Sequence, residues 1–112
     1  MTDRVLRVAD ILPELANQLE ALLRERGEPF LAEQIAGLEI RSVCGCGNEH
    51  CGSFYTTDRP MKRWFRRGRQ VALSKGLPGS VVLDVVGGEI VYIEVLFWDE
   101  VRDAVDRASG ER

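Results

Sequence analysis

The fold of this chain is decided by the stretch SVVLDVVGGEIVYIEVLF, residues 80–97. Two runs rich in β-branched residues flank Gly87-Gly88, and paired glycines between such runs are typical of a tight β-hairpin turn. With the turn at these glycines, strict alternation places two apolar sets on opposite faces of the hairpin. Because both faces are apolar, we expect the hairpin to lie centrally in a sheet with cover on each side, or to contribute to a dimer contact. The first set is Val81, Leu83, Val85, Ile90 and Tyr92, and the second is Val82, Val86, Val91, Ile93 and Val95, with Asp84.

Three shorter segments outside this hairpin also have strand character. Residues 38–43 alternate imperfectly between apolar and polar, and residues 53–57 consist of Ser, Phe, Tyr and Thr, which favour strands. We expect these two segments to form antiparallel strands joined by a glycine- and cysteine-rich loop. A third strand is predicted at residues 69–74.

The N-terminal part of the chain predicts two helices. From Leu12 to Leu23 the leucines recur on one stripe of a 3.6-residue period, and we place this helix at about residues 10–26. Asp10 is suited to cap its start, Pro13 is compatible with its first turn, and Gly27 is a C-terminal stop. A second helix is expected from Pro29 to Gly37, and a short final helix from Asp99.

These elements together predict an α+β fold. We expect two N-terminal helices, an antiparallel sheet of about five strands that includes the late hairpin, and a short C-terminal helix. With 112 residues, the chain is predicted to form a single domain over residues 1–112.

The composition restricts the class of protein. The chain is 45% apolar and 29% charged, typical of an ordered globular protein, and it has no apolar run long enough to span a bilayer. Its N-terminus lacks the basic and apolar regions of a secretion signal. The three cysteines are confined to residues 44–51, unlike the spread pattern of a disulfide-stapled secreted domain. We therefore expect a cytoplasmic protein that does not associate with membranes.

The cysteine loop, CGCGNEHC, is the first candidate site. Its three thiols and the chain's only histidine suit tetrahedral zinc, which predicts a metal site at Cys44, Cys46, His50 and Cys51. The spacing is not that of a standard zinc finger. Because His50 and Cys51 are adjacent, the three thiolates with water, or with thiols from a partner chain, form an easier set. Two alternatives remain: unligated reduced thiols that partly fill the base of the hairpin, and a redox pair in which Cys51 or Cys44 attacks.

The basic segment, residues 59–75, is the second candidate site. It holds seven cations and no acid, whereas the rest of the chain has eight cations against 18 acids, a net charge of −10. Helical turns over residues 61–67 separate Met61, Trp64 and Phe65 from the cations. Such a face predicts binding to nucleic acid, with Trp64 stacking on a base, or to an acidic protein, while a solvated face above buried aromatics is the simpler interpretation. The residues that would contact a partner are Lys62, Arg63, Trp64, Arg66 and Arg67.

Signs of catalysis are few. Asp84 and Glu94 are predicted on opposite faces of the hairpin, and a single histidine provides no conventional catalytic triad. The residues therefore favour a non-catalytic binding or adaptor module whose cysteine loop is organised by zinc, with thiol redox chemistry and weak binding through the basic segment as alternatives. A homodimer is compatible with this interpretation.

Overall fold

A computed structural model of the chain describes residues 5–43, 49–57 and 68–110. These residues form an α+β fold, as predicted, with a five-stranded antiparallel sheet. The segment expected to form helical turns at 61–67 lies outside the described residues. Within them, the helices are not long and apolar enough to cross a membrane. The elements are α1 (Val8–Ile11), α2 (Pro13–Glu25), α3 (Pro29–Gln34), β1 (Ser42–Val43), β2 (Phe54–Tyr55), β3 (Gly68–Ala72), β4 (Ser80–Val86), β5 (Glu89–Leu96) and α4 (Asp99–Gly110).

The first predicted helix is interrupted at Pro13. The chain forms one turn in α1, leaves helical geometry at Leu12, where φ is −129° and ψ is 62°, and starts α2 at the proline. The helical conformation is disfavoured for the residue before a proline, and proline has no N–H to continue a helix. The break therefore falls at Leu12, directly before Pro13. Asp10 therefore lies inside α1 and does not cap the long helix.

The predicted end of this helix is confirmed. Gly27 has φ of 85°, the left-handed conformation that glycine adopts most easily. The N–H of Glu28 donates to the carbonyl oxygen of Leu23 at 2.8 Å, and that of Gly27 to Arg24 at 3.1 Å, which is a Schellman end. The chain then turns into α3, which a 3₁₀ turn at Ile35–Gly37 extends to the predicted glycine.

The sheet has the strand order β1-β2-β5-β4-β3, and each neighbouring pair is antiparallel. The late hairpin, β4 and β5, is therefore central, as predicted. The pair β1 and β2 flanks the cysteine loop, also as predicted, but each of these strands has only two residues. Residues 6–8 pair antiparallel with residues 38–40, which lie just before β1. The N–H of Ile40 donates to the carbonyl oxygen of Leu6, and the N–H of Val8 donates to that of Leu38.

The predicted faces of the hairpin are confirmed for β4 and Ile90 but wrong for β5 beyond Ile90, and a β-bulge is the reason. Val85 pairs with Ile90, but Asp84 pairs with Tyr92, so Val91 has no partner in β4. One extra residue in one strand exchanges the faces of all residues beyond it. Only one face of the hairpin is fully buried. The residues of this face pack with those of the helices in one hydrophobic cluster. The buried residues of this face are Val81, Leu83, Val85, Ile90, Ile93 and Val95, while Val82, Asp84, Val86, Tyr92, Glu94 and Leu96 lie half-buried on the other.

Candidate functional site

The exit of the cysteine loop is attached to the last residues of β5. The N–H of Gly52 donates to the carbonyl oxygen of Val95 at 2.8 Å, and Cys51 forms an antiparallel bridge with Leu96. The N–H of Phe97 then donates to the carbonyl oxygen of His50 at 3.0 Å. These contacts hold His50 and Cys51 at one end of the central strand, and we call this region the loop end of the sheet.

Phe97 is the most unusual residue at the loop end. It is the one non-glycine residue with positive φ in the described part of the chain, at 62°, and 62% of it is exposed. A bulky side chain in the left-handed region is a genuine outlier, and such strain is concentrated at functional sites. Its ring lies 5.0 Å from the ring of His50, with 35° between the planes. The two rings form an aromatic pair at the surface.

The neighbouring Trp98 explains why the backbone accepts this conformation. Trp98 is only 3% exposed, and its carbonyl oxygen accepts the N–H groups of Val101 and Arg102 in the first turn of α4. Gly79 packs so closely on the other side that an added Cβ would lie 2.3 Å from the carbonyl oxygen of Leu96. The chain must therefore reverse between β5 and α4 in a confined space, which places Trp98 in the core and Phe97 outside.

Acidic residues lie on both chain segments that carry the aromatic pair, and Glu49 Oε2 is 3.6 Å from His50 Nε2. Glu49 precedes His50 and its side chain is 83% exposed, while Asp99 and Asp103 on α4 are 71% and 57% exposed. Arg102 hydrogen-bonds to Asp103 at 2.9 Å, lies 3.9 Å from Asp99 and donates to the carbonyl oxygen of Glu49. The hydrogen bond to Asp103 raises the pKa of Arg102 above its ordinary value, with the nearby carboxylates adding to it and burial opposing it. This guanidinium links α4 to the loop.

The predicted metal ligands are only partly described. Cys44 and Cys46 lie outside the described residues, while His50 is 47% exposed at its side chain and Cys51 is half-buried. Residues 5–43, 49–57 and 68–110 by themselves contain no group of three potential metal ligands. A site at this loop therefore needs Cys44 or Cys46, and the structure fixes the position of Cys51 relative to the sheet.

All five predicted contact residues of the basic segment also lie outside the described residues. These are Lys62, Arg63, Trp64, Arg66 and Arg67. Two other cations of the segment are described, and they pair with acids at the end of α2 and in the turn between α2 and α3. Arg69 makes two hydrogen bonds to the Glu28 carboxylate, each of 3.2 Å, and Lys75 lies 3.2 Å from Glu25. At these two positions the basic charge is used within the protein, which agrees with the simpler interpretation of a solvated face.

The two hairpin carboxylates lie on the same face, contrary to the prediction. The bulge brings Glu94 opposite Val82, two residues along β4 from Asp84. Gln70 Nε2 donates to Asp84 Oδ1 at 3.0 Å, which occupies that carboxylate in a lateral contact between strands. The same row continues through Tyr92 to β2, where the Tyr92 ring lies 4.6 Å from another tyrosine ring. This row joins four strands across the half-buried face.

Sequence reasoning missed the aromatic pair, although a signal for it exists. Phe97 and Trp98 are adjacent at a junction between a strand and a helix. Neighbouring residues of a strand point in opposite directions, so the pattern indicates that one of the two faces away from the core. Alternation from the buried Val95 selects the wrong one, Trp98, because the positive φ of Phe97 interrupts it.

A comparison with protein families, curated proteins and solved structures finds no match to this chain. The candidate site is therefore interpreted from its own geometry.

Proposed function

We propose that this protein is a small, non-catalytic binding module in which zinc organises the cysteine loop, and that the loop end of the sheet is its contact surface. The observation that carries this proposal is the attachment of His50 and Cys51 to the end of β5, next to the exposed Phe97. An aromatic residue that is exposed and conformationally strained contributes little to the core, and such residues are typical of contact surfaces.

Zinc is the metal that best suits the donor set. Thiolates are soft ligands, and tetrahedral zinc accepts three or four protein ligands, with water completing a set of three. Cys51 enters the sheet as a half-buried residue, whereas the His50 ring lies against Phe97 at the surface. Because Cys51 lies in the sheet while the adjacent His50 ring lies against Phe97, we favour three thiolates as the protein ligands. Water, or a thiol of a partner chain, takes the fourth position.

Bound-metal analysis of the full chain, purified without added zinc, tests the proposal. We expect about one equivalent of zinc, and its loss in each of Cys44→Ser, Cys46→Ser and Cys51→Ser, since removing a ligand opens a structural site. His50→Gln is the matched control and should retain the metal if three thiolates provide the ligands. Less than about a tenth of an equivalent, with three freely titrating thiols, would remove zinc from the proposal.

The same samples separate the zinc site from thiol redox chemistry. In protein that holds no metal as purified, a redox pair forms a reversible disulfide within one chain on mild oxidation, which lowers its mass by two hydrogens. A metal-free protein with such a disulfide would replace zinc with the redox alternative. Retention of zinc under mild oxidation supports the structural site.

A further inference from the structure

We propose that the aromatic pair at the loop end, Phe97 and His50, binds an arginine-rich peptide segment of a partner protein. This inference rests on the proposed function, because it names the class of partner for the same surface. The folded chain gains little from the Phe97 ring, which is 62% exposed, although its backbone adopts a conformation unfavourable for phenylalanine. A bound side chain on the ring provides the burial that the isolated protein lacks.

The charges around the ring select a cation. Residues 49–57 and 97–103 meet at Phe97 and hold four carboxylates, against which Arg102 is the one arginine or lysine. The His50 ring, with Nε2 3.6 Å from Glu49 Oε2, is the other basic group there. The Arg102 guanidinium is directed to Asp103, to Asp99 and to the carbonyl oxygen of Glu49. The surface therefore keeps an excess of negative charge, which attracts cations and repels the phosphates of a nucleic acid. The four carboxylates belong to Glu49, Asp99, Glu100 and Asp103.

Arginine fits this surface better than lysine. Its planar guanidinium stacks on an aromatic face and at the same time forms paired hydrogen bonds with a carboxylate. Phe97 provides the aromatic face, and Glu49 and Asp99, at 83% and 71% side-chain exposure, provide carboxylates that a partner can reach. Lysine offers a compact charge without the stacking plane, so it should bind more weakly.

Titration of the ¹⁵N-labelled full chain with an acetylated, amidated Gly-Arg-Gly-Arg-Gly peptide tests the inference. At about 50 mM salt we expect shifts of the Phe97 and His50 amides and a dissociation constant of about 0.1–1 mM, since exposed cation–π contacts and ion pairs are individually weak. The lysine peptide should bind about threefold more weakly. A glutamate peptide should not bind, and equal affinity for it would overturn the proposal.

Two variants locate the contact. Phe97→Gly removes the ring while keeping a backbone that accepts positive φ, and it should weaken binding by about fivefold or more. The double variant Glu49→Gln with Asp99→Asn should weaken binding by about fivefold, and mostly at low salt. Phe30→Ala is the matched control, because Phe30 is 67% exposed but lies near Gly88 at the other end of β5. Wild-type affinity of Phe97→Gly, or an equal loss in Phe30→Ala, would overturn the proposal.

Metal content separates this inference from the proposed function. If the chain holds zinc and the peptide shifts no amide at the loop end, the partner class is wrong and the zinc-organised module remains. If the peptide binds a chain that holds no zinc, the partner class is supported and the zinc loop is rejected. The basic segment of a second copy could occupy the same surface instead. Analytical ultracentrifugation would then show a dimer that the peptide dissociates. That result would overturn the proposal of a separate partner protein.

Discussion

Phe97 and Trp98 are adjacent in the chain, yet 62% of Phe97 is exposed and only 3% of Trp98 is. The positive φ of Phe97 produces this difference, because it turns the chain sharply between β5 and α4. Trp98 can then enter the core, and α4 packs against α1 and β1. The strain at Phe97 is thus linked to the burial of its neighbour, and the exposed ring is a consequence that the protein can use for contact.

The first prediction compares two substitutions of Phe97. Both Phe97→Gly and Phe97→Ala remove the ring, but only glycine adopts positive φ without a steric penalty. The left-handed conformation costs a non-glycine residue about 1–2 kcal/mol, partly offset by the entropy of glycine in the unfolded chain. We expect the glycine variant to be more stable than the alanine variant by about 0.5–1 kcal/mol in urea denaturation. Equal stability of the two would show that the backbone at Phe97 is not strained.

The second prediction concerns the close approach of Gly79 to β5. A Cβ at Gly79 would lie 2.3 Å from the carbonyl oxygen of Leu96, a backbone atom that cannot rotate away. We expect Gly79→Ala to destabilise the protein by about 2 kcal/mol or more, as overpacking does in other cores. Gly37→Ala is the matched control, since an added Cβ there meets nothing within 4 Å. It should leave the midpoint of thermal unfolding nearly unchanged, and a similar loss at both positions would contradict the crowding at Gly79.

The third prediction concerns the ion pair between Arg69 and Glu28, which joins β3 to the turn before α3. The side chains are 54% and 27% exposed, so water and salt screen most of their attraction. A double-mutant cycle with Arg69→Gln and Glu28→Gln should give a coupling of about 0.5 kcal/mol at low salt, decreasing towards zero at about 1 M salt. A coupling above about 2 kcal/mol would show that this pair is desolvated and has a larger structural role.

Local patterns were sufficient to predict most of the fold. The Gly87-Gly88 turn, the valine-rich strands on either side and the glycine stop at Gly27 each depend on short-range sterics that a sequence displays. The interruption at Pro13 was also readable, since proline has no N–H and restricts the residue before it. The short length of β1 and β2 was not, because the pairing of edge segments depends on tertiary contacts.

The candidate site was predicted only in its chemistry. The clustered thiols and His50 are visible as letters, but the contact between His50 and Phe97 joins residues 47 positions apart and depends on the register of Cys51 with Leu96. That register follows from the whole sheet order, in which β2 pairs with β5. A hairpin-by-hairpin interpretation of the sequence cannot supply it.

The last prediction concerns the bulge that reversed the expected faces of β5. Val91 has no partner in β4, and its carbonyl oxygen accepts the N–H of Thr56 on the β2 side at 3.0 Å. Deleting Val91 would remove the bulge and leave every other residue of β5 on its present face. We therefore expect a folded protein whose free energy of unfolding is lower by about 1–2 kcal/mol, for one lost hydrogen bond and a local adjustment. Deleting Glu94 instead would turn Val95 out of the core and should prevent cooperative unfolding in urea, followed by circular dichroism. If the two deletions are equally damaging, Val91 is not an extra residue in a continuous ladder.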